Sequence, residues 1–226
     1  MAPQDHRTIG NRRTGSRVMS LRDGRDILTP ANQVVEGRNL SHVGGRQDVW
    51  LDFSRKSGLD QSPMFRDVVE AVRRIPYGRP TKRTAEGVLE EWRGTCSTKH
   101  ELLVLLTRNR WPGLNPRIMH RVYTLTPGVA RRLFGEAGSA VVPSQGVADV
   151  HTYMTAVVEG RRVVIDATVP GAPWNGRSDM VLACGEGIDF DGGDDPRMTK
   201  DRLVQEHCDA NARDRVIEAL ARLSGA

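Results

Sequence analysis

Two runs of strand-forming residues, Val147 to Val158 and Arg161 to Val169, are joined by nothing but Glu159-Gly160. A connection that short, with a glycine in it, closes a β-hairpin. An even loop also sets the register: His151 lies opposite Thr168, and Tyr153 lies opposite Asp166. Residues two apart on a strand share a face. His151 and Asp166 are therefore diagonal neighbours on one face. Such pairs sit about 7–8 Å apart at the backbone, close enough for an imidazole and a carboxylate to hydrogen-bond. A loop one residue longer or shorter would turn Asp166 to the other face.

The second constraint lies upstream. Arg93-Gly94-Thr95-Cys96-Ser97-Thr98-Lys99-His100 runs directly into Glu101-Leu102-Leu103-Val104-Leu105-Leu106. This places a cysteine at the opening of an apolar helix, two residues after a glycine. The first turn of a helix has free N–H groups and partial positive charge, and both favour an anion. A thiol there has its pKa pulled below the free value of about 8.5, and the thiolate is the nucleophile. Thiol catalysis further needs a base within hydrogen-bond reach and a group that orients the base. Cys96, His151 and Asp166 supply these three parts in chain order.

Residues 1–60 carry glycines among polar residues without sustained periodicity. They read as a basic, loosely ordered arm with a short strand near 49–53. Order begins at Ser62-Pro63, a serine N-cap followed by proline. Phe65, Val68, Val69, Val72 and Ile75 then follow helical spacing. Further helices are expected over about 84–92, 96–109 and 127–134, and strands over 116–125 and 180–184. Asp189, Asp191, Asp194 and Asp195 read as a solvated acidic loop, because their spacing misses the EF-hand pattern. The tail from about Thr199 is helical, with Val216, Ile217, Leu220 and Leu223 on one face. The expected division is an arm over 1–60, a catalytic domain over 61–197, and a helical segment over 198–226 packed on that domain. The fold class is α+β, with helices packed on an antiparallel sheet.

Composition narrows the function. The chain of 226 residues has a net charge of +5, which invites a nucleic-acid reading. Yet lysine stands only at Lys56, Lys82, Lys99 and Lys200, the rest of the 33 basic residues are arginine, and acidic residues are interspersed throughout. There is no block of five like charges and no basic stripe with aromatics, so a nucleic-acid partner is not expected. No apolar run approaches the roughly 20 residues that span a bilayer, and the N-terminus has no apolar h-region. Cys96, Cys184 and Cys208 are odd in number and form no CxxC pair, which suits a reducing cytoplasm.

With these residues the chain resembles the transglutaminase-like superfamily, cysteine enzymes that share a papain-like core. The resemblance rests on Gly94-Thr95-Cys96, on Asp149-Val150-His151-Thr152-Tyr153, and on Val163-Val164-Ile165-Asp166-Ala167-Thr168. It covers roughly residues 64 to 170. It implies Cys96 as nucleophile, His151 as general base and then acid, and Asp166 as the residue that orients His151. The Cys96 N–H would be one oxyanion donor. Tyr77, in Ile75-Pro76-Tyr77-Gly78, stands where bacterial members have a tyrosine and would be the second, with Trp92 as a further candidate. Two departures bear on the substrate pocket. Tyr153 stands where the family has tryptophan, and Ser97-Thr98-Lys99-His100 replaces an acidic residue after the cysteine.

The implied reaction is acyl transfer through a thioester on Cys96. The donor is a peptide, another amide or a thioester, and water or an amine is the acceptor. Hydrolysis, transamidation and amide synthesis stay open, as does a catalytically silent module that binds peptide or amide groups. His100 lies four residues after Cys96 on the same helix face and reads as a pocket-wall or supporting residue. As a metal site this pair would need two more ligands, and His120 and His207-Cys208 lack the spacing. Neither a metal nor a cofactor is expected.

Overall fold

The computed structural model describes residues 44–60 and 62–223, with side chains described from Val49 onward. Most of the expected N-terminal arm, residues 1–43, lies outside the described residues. In the described chain seven helices accompany four strands: α1 (Gly44–Ser57), α2 (Phe65–Arg74), α3 (Ala85–Glu91), α4 (Cys96–Arg110), β1 (Arg117–Leu125), α5 (Pro127–Ala140), β2 (Val147–Val158), β3 (Arg161–Ile165), β4 (Gly187–Asp191), α6 (Pro196–His207) and α7 (Ala210–Leu223). The strands form one antiparallel sheet in the order β3-β2-β1-β4. The protein is thus an α+β fold, with helices packed on an antiparallel sheet. No helix among the described residues is long and apolar enough to cross a membrane.

The β2–β3 hairpin has the expected even loop. Val158 pairs with Arg161 and Met154 with Ile165. Glu159 and Gly160 both have positive φ, 50° and 79°, as a two-residue type I′ turn requires. Continuing this register puts Asp166 opposite Tyr153. β3 is shorter than expected because the chain leaves the ladder at Asp166. There the carboxylate accepts the Thr168 N–H at 2.9 Å and draws the backbone into a turn.

One face of the sheet contributes Ile118, Met154, Ala156, Val163 and Ile165 to a core completed by Val68, Val69 and Val72 of α2, Val88 and Leu89 of α3, and Leu102, Leu103 and Leu106 of α4. A second cluster joins Tyr123 and Leu125 of β1 to Ala130 of α5 and Val216, Ile217 and Leu220 of α7. α7 therefore buries the apolar stripe read from its sequence.

Several elements differ from expectation. α2 starts one turn after Ser62, with Met64 at its N-cap. The Met64 N–H donates to Asp67 of the first helical turn at 3.0 Å, a bond that Ser62 cannot make from its place outside the turn. The stretch near 49–53 is helical, not a strand. Phe53 is fully buried in the main core, tilted against Trp92 at 6.1 Å, and Trp50 meets Trp111 edge-on at 6.4 Å. α1 presents these rings one turn apart, a helical spacing obscured by the polar residues between them. α5 runs on to Ala140 across a kink at Gly135, whose φ is 72°. The tail forms two helices, α6 and α7.

The strand expected over 180–184 is absent, and β4 lies at Gly187–Asp191 instead. Residues 179–183 still follow the β3 edge: Met180 N–H donates to the Val164 carbonyl at 3.0 Å, and Val164 N–H to Asp179 at 2.8 Å. Met180 packs on the main core and Leu182 and Cys184 on the second cluster, while Val181 is exposed. β4 alternates only Ile188 and Phe190 with aspartates and buries neither fully, because it is an exposed edge. It is held by Asp189, directly across from Arg121, in a two-pronged ion pair at 2.7 and 2.6 Å. The expected acidic loop is thus divided between β4 and the N-cap of α6, where Asp195 accepts from Arg197 N–H and Met198 N–H.

Because Phe53 is buried against α3, Phe53→Ala is expected to lower stability by about 3–5 kcal/mol. Leu51→Ala, 58 % exposed on the same helix, should stay within about 0.5 kcal/mol of the native chain. Denaturant unfolding of the two variants checks both values.

Candidate active site

Cys96 is the first residue of α4, and Thr95 is its N-cap. Gly94 is required two residues before it. A Cβ on Gly94 would lie 2.7 Å from Lys99 Cγ and 3.1 Å from both Thr98 Oγ1 and Val88 Cγ2. The glycine also forms a bridge with Tyr77: Gly94 N–H donates to the Pro76 carbonyl at 3.0 Å, and Gly78 N–H to the Gly94 carbonyl at 3.2 Å. This pairing sets Tyr77 beside the start of α4.

Lys99 is fully buried. Its ammonium donates to the carbonyls of Ile75 at 2.8 Å, Arg73 at 3.1 Å and Thr168 at 2.7 Å. Burial pushes it down to about 7, opposed by the Asp166 charge. Three carbonyl acceptors match the three protons of the charged form.

His100 is also fully buried. Its Nδ1 lies 2.6 Å from the Cys96 carbonyl, and its Nε2 accepts the Ala167 N–H at 2.9 Å. The carbonyl can only accept, so Nδ1 carries the proton. Burial holds the ring neutral by lowering its pKa to about 4. His100 is therefore a strut between the first turn of α4 and the residue after Asp166, not part of the pocket wall. At four residues from Cys96 on a buried helix, its side chain turns toward β3 rather than toward the opening.

His151 and Asp166 meet as the hairpin register requires, with His151 Nε2 2.7 Å from Asp166 Oδ2. The carboxylate also accepts from Thr168 N–H at 2.9 Å and Ala183 N–H at 2.7 Å. Burial works against ionised Asp166, but the charge and hydrogen bond of His151 outweigh it and hold the carboxyl well below its ordinary 3.8. Burial likewise opposes charge on His151. The charge and hydrogen bond of Asp166, then those of Cys96, raise the imidazole well above 6.5. Burial would push the Cys96 thiol up, yet the Lys200 ammonium and the hydrogen bond and charge of His151 bring it down to about 6. With Nε2 committed to Asp166, Nδ1 is the ring nitrogen left for Cys96.

Cys96 opens onto a cavity of about 320 Å³, lined among others by Tyr77, Asp149, Thr152, Lys200 and Arg213. Tyr77 keeps its phenol neutral: burial, then the charges of Cys96 and Asp149, raise its pKa. Asp149 is buried and held by Arg213 at 2.6 Å and the Tyr123 hydroxyl at 3.2 Å.

Besides His100, two further sequence candidates do not line the cavity. Trp92 caps α3 in the left-handed region, φ 51°, and its ring packs on Phe53. It follows Val88 by one helical turn and so falls on the core face of α3. Tyr153 stacks beside the His151 ring at 6.4 Å, and burial, then the Asp189 charge, raises its phenol pKa. It supports the imidazole from the same strand face. The sequence reading missed Lys200 and Arg213. They reach the site from α6 and α7, and nothing local marks either residue. All three cysteines are free. Among the described residues no group of three or more His, Cys, Asp or Glu side chains is placed to hold a metal.

Comparisons of the chain with family models, with curated proteins and with solved structures found no match in any of the three.

The signs of the two shifts define a window. Asp166, depressed, contributes stability above its ordinary 3.8 that is lost as pH falls through the folded value. His151, raised, contributes stability below its ordinary 6.5 that is lost as pH rises through the folded value. The pair is thus at full strength between about pH 4 and 6.5. In Asp166→Asn the His151 ring should titrate about 1–3 pH units lower than in the native protein, measured by NMR of the imidazole protons.

Proposed function

We propose that the protein is a cysteine-dependent acyltransferase or amidohydrolase of the transglutaminase-like, papain-like type. The observation that carries this reading is the convergence of three distant side chains. Cys96 stands at the positive end of α4, and His151, whose charge helps to lower the thiol, has its Nε2 2.7 Å from a buried carboxylate. A thiol lowered to about 6 beside a raised imidazole is the thiolate–imidazolium arrangement that nucleophilic sulfur requires.

In the proposed reaction the Cys96 thiolate attacks the carbonyl carbon of an amide, peptide or thioester. Charge moves to the carbonyl oxygen, where the Cys96 N–H, free of an intrahelical acceptor, and the neutral Tyr77 phenol serve as donors. The proton on His151 Nδ1 passes to the leaving amine or thiol, and a thioester to Cys96 forms. Neutral His151 then takes a proton from water or an acceptor amine as that group attacks, and the sulfur departs as thiolate. Asp166 keeps the imidazole in one tautomer throughout. The cavity of about 320 Å³ suits a small acyl group or one extended side chain.

Incubation with thioester and activated-amide donors, followed by intact mass spectrometry, is expected to give one acyl adduct located on Cys96. Cys96→Ser should give none, and His151→Ala should slow acylation by about 10²–10⁴-fold. Adducts spread evenly over Cys96, Cys184 and Cys208 would exclude the enzyme reading and favour a silent binding module.

A further inference from the structure

The cavity holds a cation whose place is not explained by the three residues above. Three of its arginines have carboxylate partners: Arg213 pairs with Asp149, Arg79 with Asp214 and Glu218, and Arg197 with Glu101. Lys200 is different. Its ammonium contacts Ser97 Oγ at 2.7 Å, Thr152 Oγ1 at 3.0 Å and Cys96 Sγ at 3.6 Å. Among the described residues no carboxylate forms an ion pair with it.

The direction of these hydrogen bonds follows from the far end of the network. The Pro196 carbonyl can only accept, so His120 Nε2, 2.8 Å away, carries a proton. Burial, then the charge of Lys200, lowers the His120 pKa to about 4. The ring is neutral, and its Nδ1 is an acceptor. Thr152 Oγ1 lies 3.2 Å from that Nδ1 and gives it the one proton a hydroxyl has. Toward Lys200 the threonine can then only accept. His120 and the first residue of α6 thereby fix Lys200 as a donor to Thr152, and the sulfur stands along the same ammonium as a third acceptor. A strong donor beside sulfur favours the thiolate over the thiol.

We propose that Lys200 is a further catalytic residue: its ammonium is a second cation on the Cys96 sulfur, beside His151, and stabilises the thiolate both before attack and as the group that departs when the thioester is resolved. This rests on the reading of Cys96 as nucleophile. The proton lost by sulfur goes to His151, and Lys200 exchanges none. When sulfur is acylated its charge is gone, and the ammonium keeps its two hydroxyl partners. When the acyl group leaves, the returning charge meets a cation already in place. Thr152 anchors the ammonium and His120 is a positioning residue that acts through Thr152.

Other groups face the same sulfur. Lys99 from α4 and Arg213 from α7 add positive charge. Asp149 from β2 adds negative charge, and Tyr77, Tyr123 and Cys184 face it from the α2–α3 connection, β1 and the segment after β3. All remain when Lys200 alone is replaced; of them Asp149 also feels the lysine, and Arg213 still pairs with it, so a shift on replacement reports the lysine.

The test is the pH dependence of Cys96 alkylation by iodoacetamide, a neutral reagent, followed by peptide mass spectrometry on the full chain. In the native protein the midpoint is expected below the value of about 8.5 for a free thiol. Lys200→Met should raise it by about 1–3 pH units, and Lys200→Arg should restore most of the difference. Thr152→Val, with the lysine intact, should raise it by less and serves if Lys200→Met does not fold. An unmoved midpoint in a folded Lys200→Met or Thr152→Val protein overturns the lysine assignment and leaves the nucleophile standing. Slow, pH-ordinary labelling of Cys96 in the native protein overturns both. An acyl group recovered as an amide on Lys200 overturns the assignment too, because a stabilising ammonium is not a nucleophile.

Discussion

One buried ammonium joins the parts on which the candidate site depends. Lys99 donates its three protons to the C-terminal end of α2, at Arg73 and Ile75, and to Thr168 after β3. Carbonyls at a helix end lack intrahelical partners and carry partial negative charge, so a cation there answers both needs. The same side chain leaves no room for a Cβ at Gly94. Glycine is thereby imposed just before Cys96, and that glycine allows the Tyr77 bridge. Placement of the thiol, the phenol and the residues around Asp166 therefore traces to one desolvated lysine whose acceptors are all backbone. Losing one partner of such a group leaves several polar atoms buried without compensation.

The electrostatics of the site follow from burial with compensation. Cys96, His151, Asp166 and Asp149 are all withdrawn from water, and burial by itself would discharge each of them. Each instead faces an opposite charge: Asp149 meets Arg213, Asp166 meets His151, and Cys96 meets both His151 and Lys200. Pairing each group with an opposite charge is what brings the Cys96 thiol down despite its burial. The two other buried histidines among the described residues, His100 and His120, are kept neutral by the same burial. Their tautomers are then set by carbonyls, the Cys96 carbonyl for His100 and the Pro196 carbonyl for His120. Neutral rings there add no positive charge of their own and act as oriented donor–acceptor links between elements.

How much could be read from the chain depended on how local the determining interaction was. The β2–β3 register was legible because a two-residue turn leaves no freedom in the pairing, and with it came the His151–Asp166 contact. The α4 start was legible because glycine, threonine and cysteine precede a continuous apolar run. α1 was not, since its burial is the work of a few aromatic rings, Trp50 and Phe53 above all, that find partners far away at Trp111 and Trp92. β4 was not, since its alternation is only two apolar residues long and the strand is an exposed edge held by a cross-strand ion pair. Trp92 was misplaced among the pocket residues because nearness in sequence to Cys96 says nothing about which helix face the ring occupies.

By itself the sequence determined an α+β chain with a thiol at a helix start and an imidazole and carboxylate on one face of a hairpin, because turn length and helix signals act over a few residues. Only the tertiary structure decided what surrounds the sulfur. Lys200 lies 104 positions from Cys96, and α6 meets the sheet through a cap, a carbonyl and a histidine tautomer. Charge acts through space, and the distances that matter to it are set by packing, which no spacing along the chain records.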